Sequence, residues 1–268
     1  MNANMIEVND LCVYYPQRGG LLNSIKSYTK AVNGVSFTLK KGSCLGVLGE
    51  SGSGKSTLGL ALLGLTPVHS GEIKFEETPI DTKTTQSWAP WKKRFQMVFQ
   101  DSSDALNPKR TIYEIFKDVL LFHKTCSSDE INNYISQLLV KVGLEPEMMH
   151  RYPHAFSGGQ RQRLGIARSL CVEPEVLICD EIVSALDVRV QADILNLLDS
   201  LRKEMNLTLL FIAHDLAVVH KFCDETLVMQ NGKIVEQGNV DDVLVNPKEA
   251  YTQKLLSAVP IPDPNFYK

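Results

Sequence analysis

Residues 49 to 57 read Gly49-Glu50-Ser51-Gly52-Ser53-Gly54-Lys55-Ser56-Thr57, and few nonapeptides restrict a chain more. Glycines at the first, fourth and sixth positions let backbone N–H groups turn inward around an anion with no Cβ in the way. Lys55 adds a mobile positive charge, and the Ser56 hydroxyl is a hard oxygen ligand suited to Mg²⁺. The flanks match what the loop requires. Ser43-Cys44-Leu45-Gly46-Val47-Leu48 is an apolar, strand-like run before it, and Leu58-Gly59-Leu60-Ala61-Leu62-Leu63 is compatible with a helix after it. Strand, loop and helix in that order form a cradle for a nucleotide triphosphate and predict an α/β fold; a glycine-rich turn with no ligand does not need Lys55 or Ser56.

Further signals recur downstream in a fixed order. Phe156-Ser157-Gly158-Gly159-Gln160-Arg161-Gln162-Arg163 opens a helical pattern carried by Leu164, Ile166, Ala167 and Leu170. A Ser-Gly-Gly turn at a helix start presents free N–H groups and the positive dipole end, a second anion site; the alternative is an ordinary helix capped by Ser157. Val176-Leu177-Ile178-Cys179 then ends in the carboxylates Asp180 and Glu181, as a buried parallel strand does at its C-terminal edge. Ser184-Ala185-Leu186-Asp187 follows. Leu209-Leu210-Phe211-Ile212-Ala213 is another apolar strand, ending in His214.

With these motifs in this order, the chain resembles the nucleotide-binding subunits of ATP-binding cassette (ABC) transporters over roughly residues 5 to 262. The resemblance implies an α/β P-loop NTPase with a RecA-like core, an N-terminal antiparallel β-subdomain and an inserted α-helical subdomain. It makes Gly49 to Thr57 the Walker A loop, Gln100 the Q-loop glutamine and Phe156 to Gln160 the signature motif, with Phe where Leu is commoner. Val176 to Asp180 becomes Walker B, Glu181 the catalytic glutamate, Ser184 to Asp187 the D-loop and His214 the switch histidine. Tyr15 is similar to the aromatic on which adenine stacks, with Tyr14 as the competing candidate. Ile182-Val183 departs from the family's usual Pro or Ala followed by Thr, which bears on geometry and leaves the carboxylates intact. The implied ligands are ATP and Mg²⁺, the metal held by Ser56, Gln100 and Asp180. Ser157, Gly158, Gly159, Gln160 and Asp187 would face the nucleotide of a second ATPase subunit, a paralogue or a second copy, in a head-to-tail dimer. Asn107-Pro108, the insertion around Arg18 to Lys30 and the tail from Tyr251 to Pro260 are similar to the peptide and nickel importer group. That similarity implies two transmembrane permease subunits, an extracytoplasmic solute-binding protein acting indirectly, and a peripheral place on the cytoplasmic face of the cell membrane. Within the segment from Gln100 to about Phe116, Leu106, Ile112 and Phe116 are the apolar residues nearest the groove that, by the resemblance, receives a permease helix, and some of them must serve the subdomain's own core, which sequence alone does not sort.

Composition excludes other classes. The 268 residues are 44% hydrophobic and 22% charged, enough for one large core with a subdomain. A net charge of −3 gives no general attraction to nucleic acid. A soluble ABC ATPase working on nucleic acid or ribosomes usually brings a second cassette, a coiled-coil insertion or a basic surface, and none is visible; a P-loop kinase or GTPase leaves Ser157 to Gln160 without an account. No run reaches 18 apolar residues, and the first residues do not read as a signal peptide. Cys12, Cys44, Cys126, Cys171, Cys179 and Cys223 form no C-x-x-C pair and read as reduced thiols.

Periodicity divides the chain further. Short alternating runs before the phosphate loop predict antiparallel strands, with a loop at Arg18-Gly19-Gly20. Helical spacing from residue 101 to 172 predicts a helical insertion within a core of residues 1–100 and 173–240, followed by a tail of residues 241–268. Asn231-Gly232 predicts a tight hairpin. Arg161, Arg163 and Arg168 read as a solvated helix face, His150 and His154 as loop histidines, and Trp88 and Trp91 as surface or packing residues.

Overall fold

A computed structural model describes residues 3–19, 24–82, 84, 86–100 and 106–258. In chain order the first elements are β1 (Asn4–Gly19), β2 (Ser24–Lys40), β3 (Cys44–Leu48), α1 (Lys55–Leu62), β4 (Ser70–Phe75) and β5 (Thr78–Ile80). Then come β6 (Phe95–Val98), α2 (Ile112–His123), α3 (Ile131–Lys141), α4 (Gly158–Leu170), β7 (Val176–Asp180) and α5 (Val188–Met205). The chain closes with β8 (Thr208–Ile212), α6 (Leu216–Phe222), β9 (Glu225–Gln230), β10 (Lys233–Asn239), α7 (Val240–Val245) and α8 (Ala250–Ser257). They group into two compact units, Met1–Pro90 with Thr208–Lys268, and Trp91–Leu207.

The first unit holds two sheets. One is antiparallel in the order β2-β1-β4-β5. In the other, β3 lies between β8 and β9 and runs parallel to both, while β10 pairs antiparallel with β9. Every residue of β3 and β8 is buried, as expected of parallel strands covered on both faces. Asn231 and Gly232 have φ of 49° and 77°, the left-handed pair that a two-residue hairpin requires. The predicted loop at Arg18-Gly19 is not there. β1 and β2 stay paired out to Gly19 and Ser24, so both residues belong to strand, and Gly20 lies outside the described residues. Trp88 is buried against Gly64, whose φ is 65° and whose Cβ position lies 2.2 Å from the indole.

The second unit pairs β6 with β7 in parallel and sets α2 to α5 around them. Ser169 on α4 donates to the Met97 carbonyl of β6 at 3.0 Å, which ties helix to strand. Helix α2 starts at a capping box in which Thr111 and Glu114 satisfy each other's backbone N–H. Leu106, Ile112 and Phe116 are all at least 99% buried. They form this unit's core and offer no surface to a partner; residues 101–105 of the same segment lie outside the described residues. The arginines of α4 also differ from expectation. Arg161 and Arg163 are half-buried, and each donates to a backbone carbonyl, Phe156 at 2.8 Å and Val142 at 2.7 Å. Among the described residues no helix is long and apolar enough to cross a membrane.

Candidate functional site

In the first unit the phosphate loop leaves the C-terminal end of β3 and enters α1. Its three glycines have φ of 147°, 79° and 108° at Gly49, Gly52 and Gly54, values that L side chains rarely adopt. Two of them also have no room. A Cβ at Gly49 would sit 2.3 Å from the Met229 carbonyl oxygen, and one at Gly54 would sit 2.1 Å from that of Ala31. A Cβ at Gly52 would meet nothing within 4 Å. The loop is therefore packed tightly behind and open in front, the shape of a cradle whose contents approach backbone from one side.

The packing behind comes from the hairpin turn. Gly232 N–H donates to the Ser53 carbonyl at 2.9 Å, and the Gly232 carbonyl accepts from Asn33 N–H at 2.8 Å. From α8, the Tyr251 hydroxyl accepts the Glu50 N–H at 3.2 Å. Lys55 is buried, and its ammonium donates to the Gly49 and Glu50 carbonyls at 2.8 and 3.0 Å. Ser53 Oγ is buried with no hydrogen-bond partner among the described residues; an orphaned hydroxyl in a loop of this shape costs about 1–3 kcal/mol unless a ligand satisfies it. Ser56 is exposed and Thr57 half-buried in the first turn of α1.

Two other expected residues share this unit. Val47 pairs with Ile212, and Ala213 N–H donates to the Val47 carbonyl at 3.2 Å, so His214 leaves the sheet at the same edge as Gly49. His214 is exposed, and Asp215 behind it caps α6 by accepting from the Ala217 and Val218 N–H groups. The two tyrosines differ. Tyr14 is half-buried, stacks on His69 with ring centroids 4.5 Å apart, and donates to Asn33. Tyr15 exposes 39% of its surface, with its hydroxyl 3.0 Å from Thr66 Oγ1.

The remaining candidates belong to the second unit. Val98 pairs with Cys179. Gln100 and Glu181 both lie two residues beyond that pair and leave the parallel strands at one edge, with Asp180 buried between strand and loop. Glu181 has φ of 49°, a left-handed conformation that costs a non-glycine residue about 1–2 kcal/mol. The following turn holds it there. Ser184 donates to the Glu181 carbonyl through its N–H at 3.2 Å and its hydroxyl at 2.8 Å. Ile182 and Val183 are buried, so this departure from the usual sequence anchors the turn by apolar packing.

The Ser157 turn is a capping box: Ser157 Oγ accepts from Gln160 N–H, and the Gln160 side chain accepts from Ser157 N–H. The cap and the anion site anticipated as alternatives are thus compatible, because capping uses one N–H of the first turn. Ser157 and Gly158 are exposed, and a Cβ at Gly158 would meet only Leu186 at 3.9 Å, whereas one at Gly159 would strike Val190 at 2.6 Å. Asp187 is the N-cap of α5, accepting from the Arg189 and Val190 N–H groups. Tyr251, Asn33 and Gly232 were not anticipated around the phosphate loop; only Asn231-Gly232 carried a local signal. No cluster of three or more His, Cys, Asp or Glu that would hold a metal occurs among the described residues.

Residues 32–184 match the family described as ABC transporter. Over 267 residues, covering 98% of this chain and 80% of that protein, the chain is 45% identical to the oligopeptide transport ATP-binding protein OppF of Escherichia coli K12. The solved structure of cbiO1 from Clostridium perfringens, part of the ABC transporter complex cbiONQ, is similar with a TM-score of 0.78 at 29% identity, covering 91% of this chain and 92% of that one. The dimeric structure of MJ0796, a bacterial ABC transporter cassette, shares the fold with a TM-score of 0.75 at 24% identity, covering 88% and 99%.

Proposed function

Because the chain belongs to the ABC transporter family, we propose that it is the ATP-hydrolysing subunit of an importer, working as half of a head-to-tail cassette dimer with a separate permease. The observation that carries this reading is the phosphate loop, open at Gly52, closed behind Gly49 and Gly54, and holding a buried Lys55 and an unsatisfied Ser53 hydroxyl. The relative named for oligopeptide transport makes peptides the proposed solute class in preference to nickel. The proposed division of labour follows residues 1–100 and 173–240 as the nucleotide-binding core, 101–172 as the helical signature subdomain and 241–268 as the tail.

Hydrolysis of ATP asks the protein to position groups and stabilise charge, with little covalent chemistry. Lys55 turns from the Gly49 and Glu50 carbonyls toward the β- and γ-phosphates, and the loop N–H groups and Ser53 and Thr57 hydroxyls surround them. Ser56, Asp180 and Gln100 offer the hard oxygens that suit Mg²⁺, which when bound neutralises charge on the phosphates. Glu181 accepts a hydrogen bond from the attacking water, held in place by its strained turn, and His214 steadies the γ-phosphate. Tyr15, the more exposed tyrosine, stacks on adenine. Ser157, Gly158, Gly159, Gln160 and Asp187 complete the site of a second subunit, a paralogue or a second copy. Two permease subunits and, through them, a solute-binding protein are the further partners, which places this chain on the cytoplasmic face of the membrane. Reconstitution with the permease in proteoliposomes tests the reading: ATP-dependent peptide uptake abolished by Lys55→Ala is expected, and uptake that survives it refutes the assignment.

A further inference from the structure

Beyond the nucleotide site, the outer half of the β1–β2 hairpin runs past the end of its pairing with β4. Strand β4 pairs with β1 only from Ile6 to Cys12, whereas β1 and β2 continue together from Tyr14–Lys30 to Gly19–Ser24. Residues 15–18 and 25–30 are exposed throughout. A two-stranded ribbon with no third strand is marginal in water by itself, so an arm of this length gains from a surface to lie on.

Its two faces differ. Directly paired residues share a face, and alternate residues of one strand do too. One face carries Gln17 with Ser27 and Tyr15 with Thr29; Gln17 bonds both Thr29 and Ser27, at 2.7 and 3.2 Å. That face is neutral and satisfies its own polar groups. The opposite face carries Pro16 with Tyr28 and Arg18 with Ile25. Ile25 and Tyr28 are about half exposed, at 49% and 51%. Lys26, the extra residue where the pairing shifts between Gln17 and Arg18, lays its stem over Gly19. Charge is segregated as well: no Asp or Glu occurs from residue 11 to 49, in a chain whose net charge is −3.

We propose that this arm, through Arg18, Ile25, Lys26 and Tyr28, docks on the anionic phospholipid surface of the membrane. Cations beside half-exposed aromatic and aliphatic side chains suit a bilayer interface, where the rings and branched chains sit among the headgroups and the cations meet lipid phosphates. An acidic protein surface would answer the charge but leaves Ile25 and Tyr28 unexplained. The contact would give the subunit an attachment to the membrane that does not depend on the permease.

The test uses the full chain without permease or nucleotide, so its outcome is separate from that of the ATPase reading. Sedimentation with phosphatidylglycerol vesicles but not phosphatidylcholine vesicles is expected, weakening as salt rises. Arg18→Glu/Lys26→Glu should lower vesicle affinity by roughly 25-fold or more, at about fivefold per cation. Ile25→Ser/Tyr28→Ser should lower it with charge unchanged. All four side chains are exposed, so the fold survives, and unchanged ATP affinity of each variant checks that. No binding to the anionic vesicles, or binding that either double variant leaves intact, overturns the proposal. Equal binding to soluble polyglutamate that ignores Ile25→Ser/Tyr28→Ser also overturns it, in favour of an acidic protein partner.

Discussion

Gly158→Asp separates the proposed role of the Ser157 turn from its role in folding. Gly158 is exposed at the first position of α4, and a Cβ there meets only Leu186 at 3.9 Å, ordinary contact distance. The first turn of α4 has no acidic residue, and a carboxylate at a helix N-terminus is favourable by about 0.3–1 kcal/mol. The variant should therefore fold at least as stably as the parent. Facing a second subunit's nucleotide, the same carboxylate meets a phosphate of like sign. Two unit charges about 4 Å apart at an effective dielectric of about 20 repel by about 4 kcal/mol, on the order of a thousandfold in closure of the dimer. Three measurements on one protein decide the matter: the thermal midpoint, the ATP affinity of the isolated subunit, and turnover as a function of subunit concentration. The first two should hold while turnover collapses. Normal turnover would refute the role in trans, and so would ATP affinity falling as far as turnover does. Gly159→Ala is the control, because its Cβ at 2.6 Å from Val190 Cγ1 should lower stability by about 1–3 kcal/mol through overpacking.

Two further outcomes follow from packing. Gly54→Ala, with φ of 108° and a carbonyl oxygen 2.1 Å from the new Cβ, should cost at least about 1–3 kcal/mol in denaturant unfolding, and unchanged stability would mean that the loop is not held as described. Leu106→Asp places a charge where 1% of the side chain is exposed, so it should prevent stable folding of the helical unit, seen as loss of the cooperative unfolding transition; a well-folded variant that fails only to bind the permease would show that Leu106 is surface after all.

How much of this was legible beforehand depends on how local the cause is. The phosphate loop was, because glycine spacing, Lys55 and the flanking apolar runs are contiguous. The Asn231-Gly232 turn was too, although nothing local says that Gly232 would brace Ser53. Arg18 and Gly19 are strand where their residue types predict a loop, for a physical reason: glycine and polar residues signal a turn, yet a solvent-exposed ribbon tolerates both, since neither face is required to be apolar. Helix α6 has a local signal in Asp215 before Leu216-Ala217-Val218-Val219, but at seven residues it is too short for apolar periodicity to mark it. Arg161 and Arg163 point to carbonyls of Phe156 and Val142, partners set by tertiary packing that charge spacing along a helix cannot indicate. The left-handed Glu181 is of the same kind. It sits beside the buried Ile182-Val183 pair and the Ser184 hydrogen bond to its carbonyl, tertiary features that no local residue pattern announces.

In the proposed mechanism Glu181 orients the water that attacks ATP, and Glu181→Gln in the assembled transporter isolates that role. The amide keeps the size of the side chain and its hydrogen bonding but removes the charge that polarises the water. Steady-state hydrolysis should fall by orders of magnitude while ATP remains bound and the closed dimer accumulates. Near-normal turnover by that variant would rule out this role for Glu181.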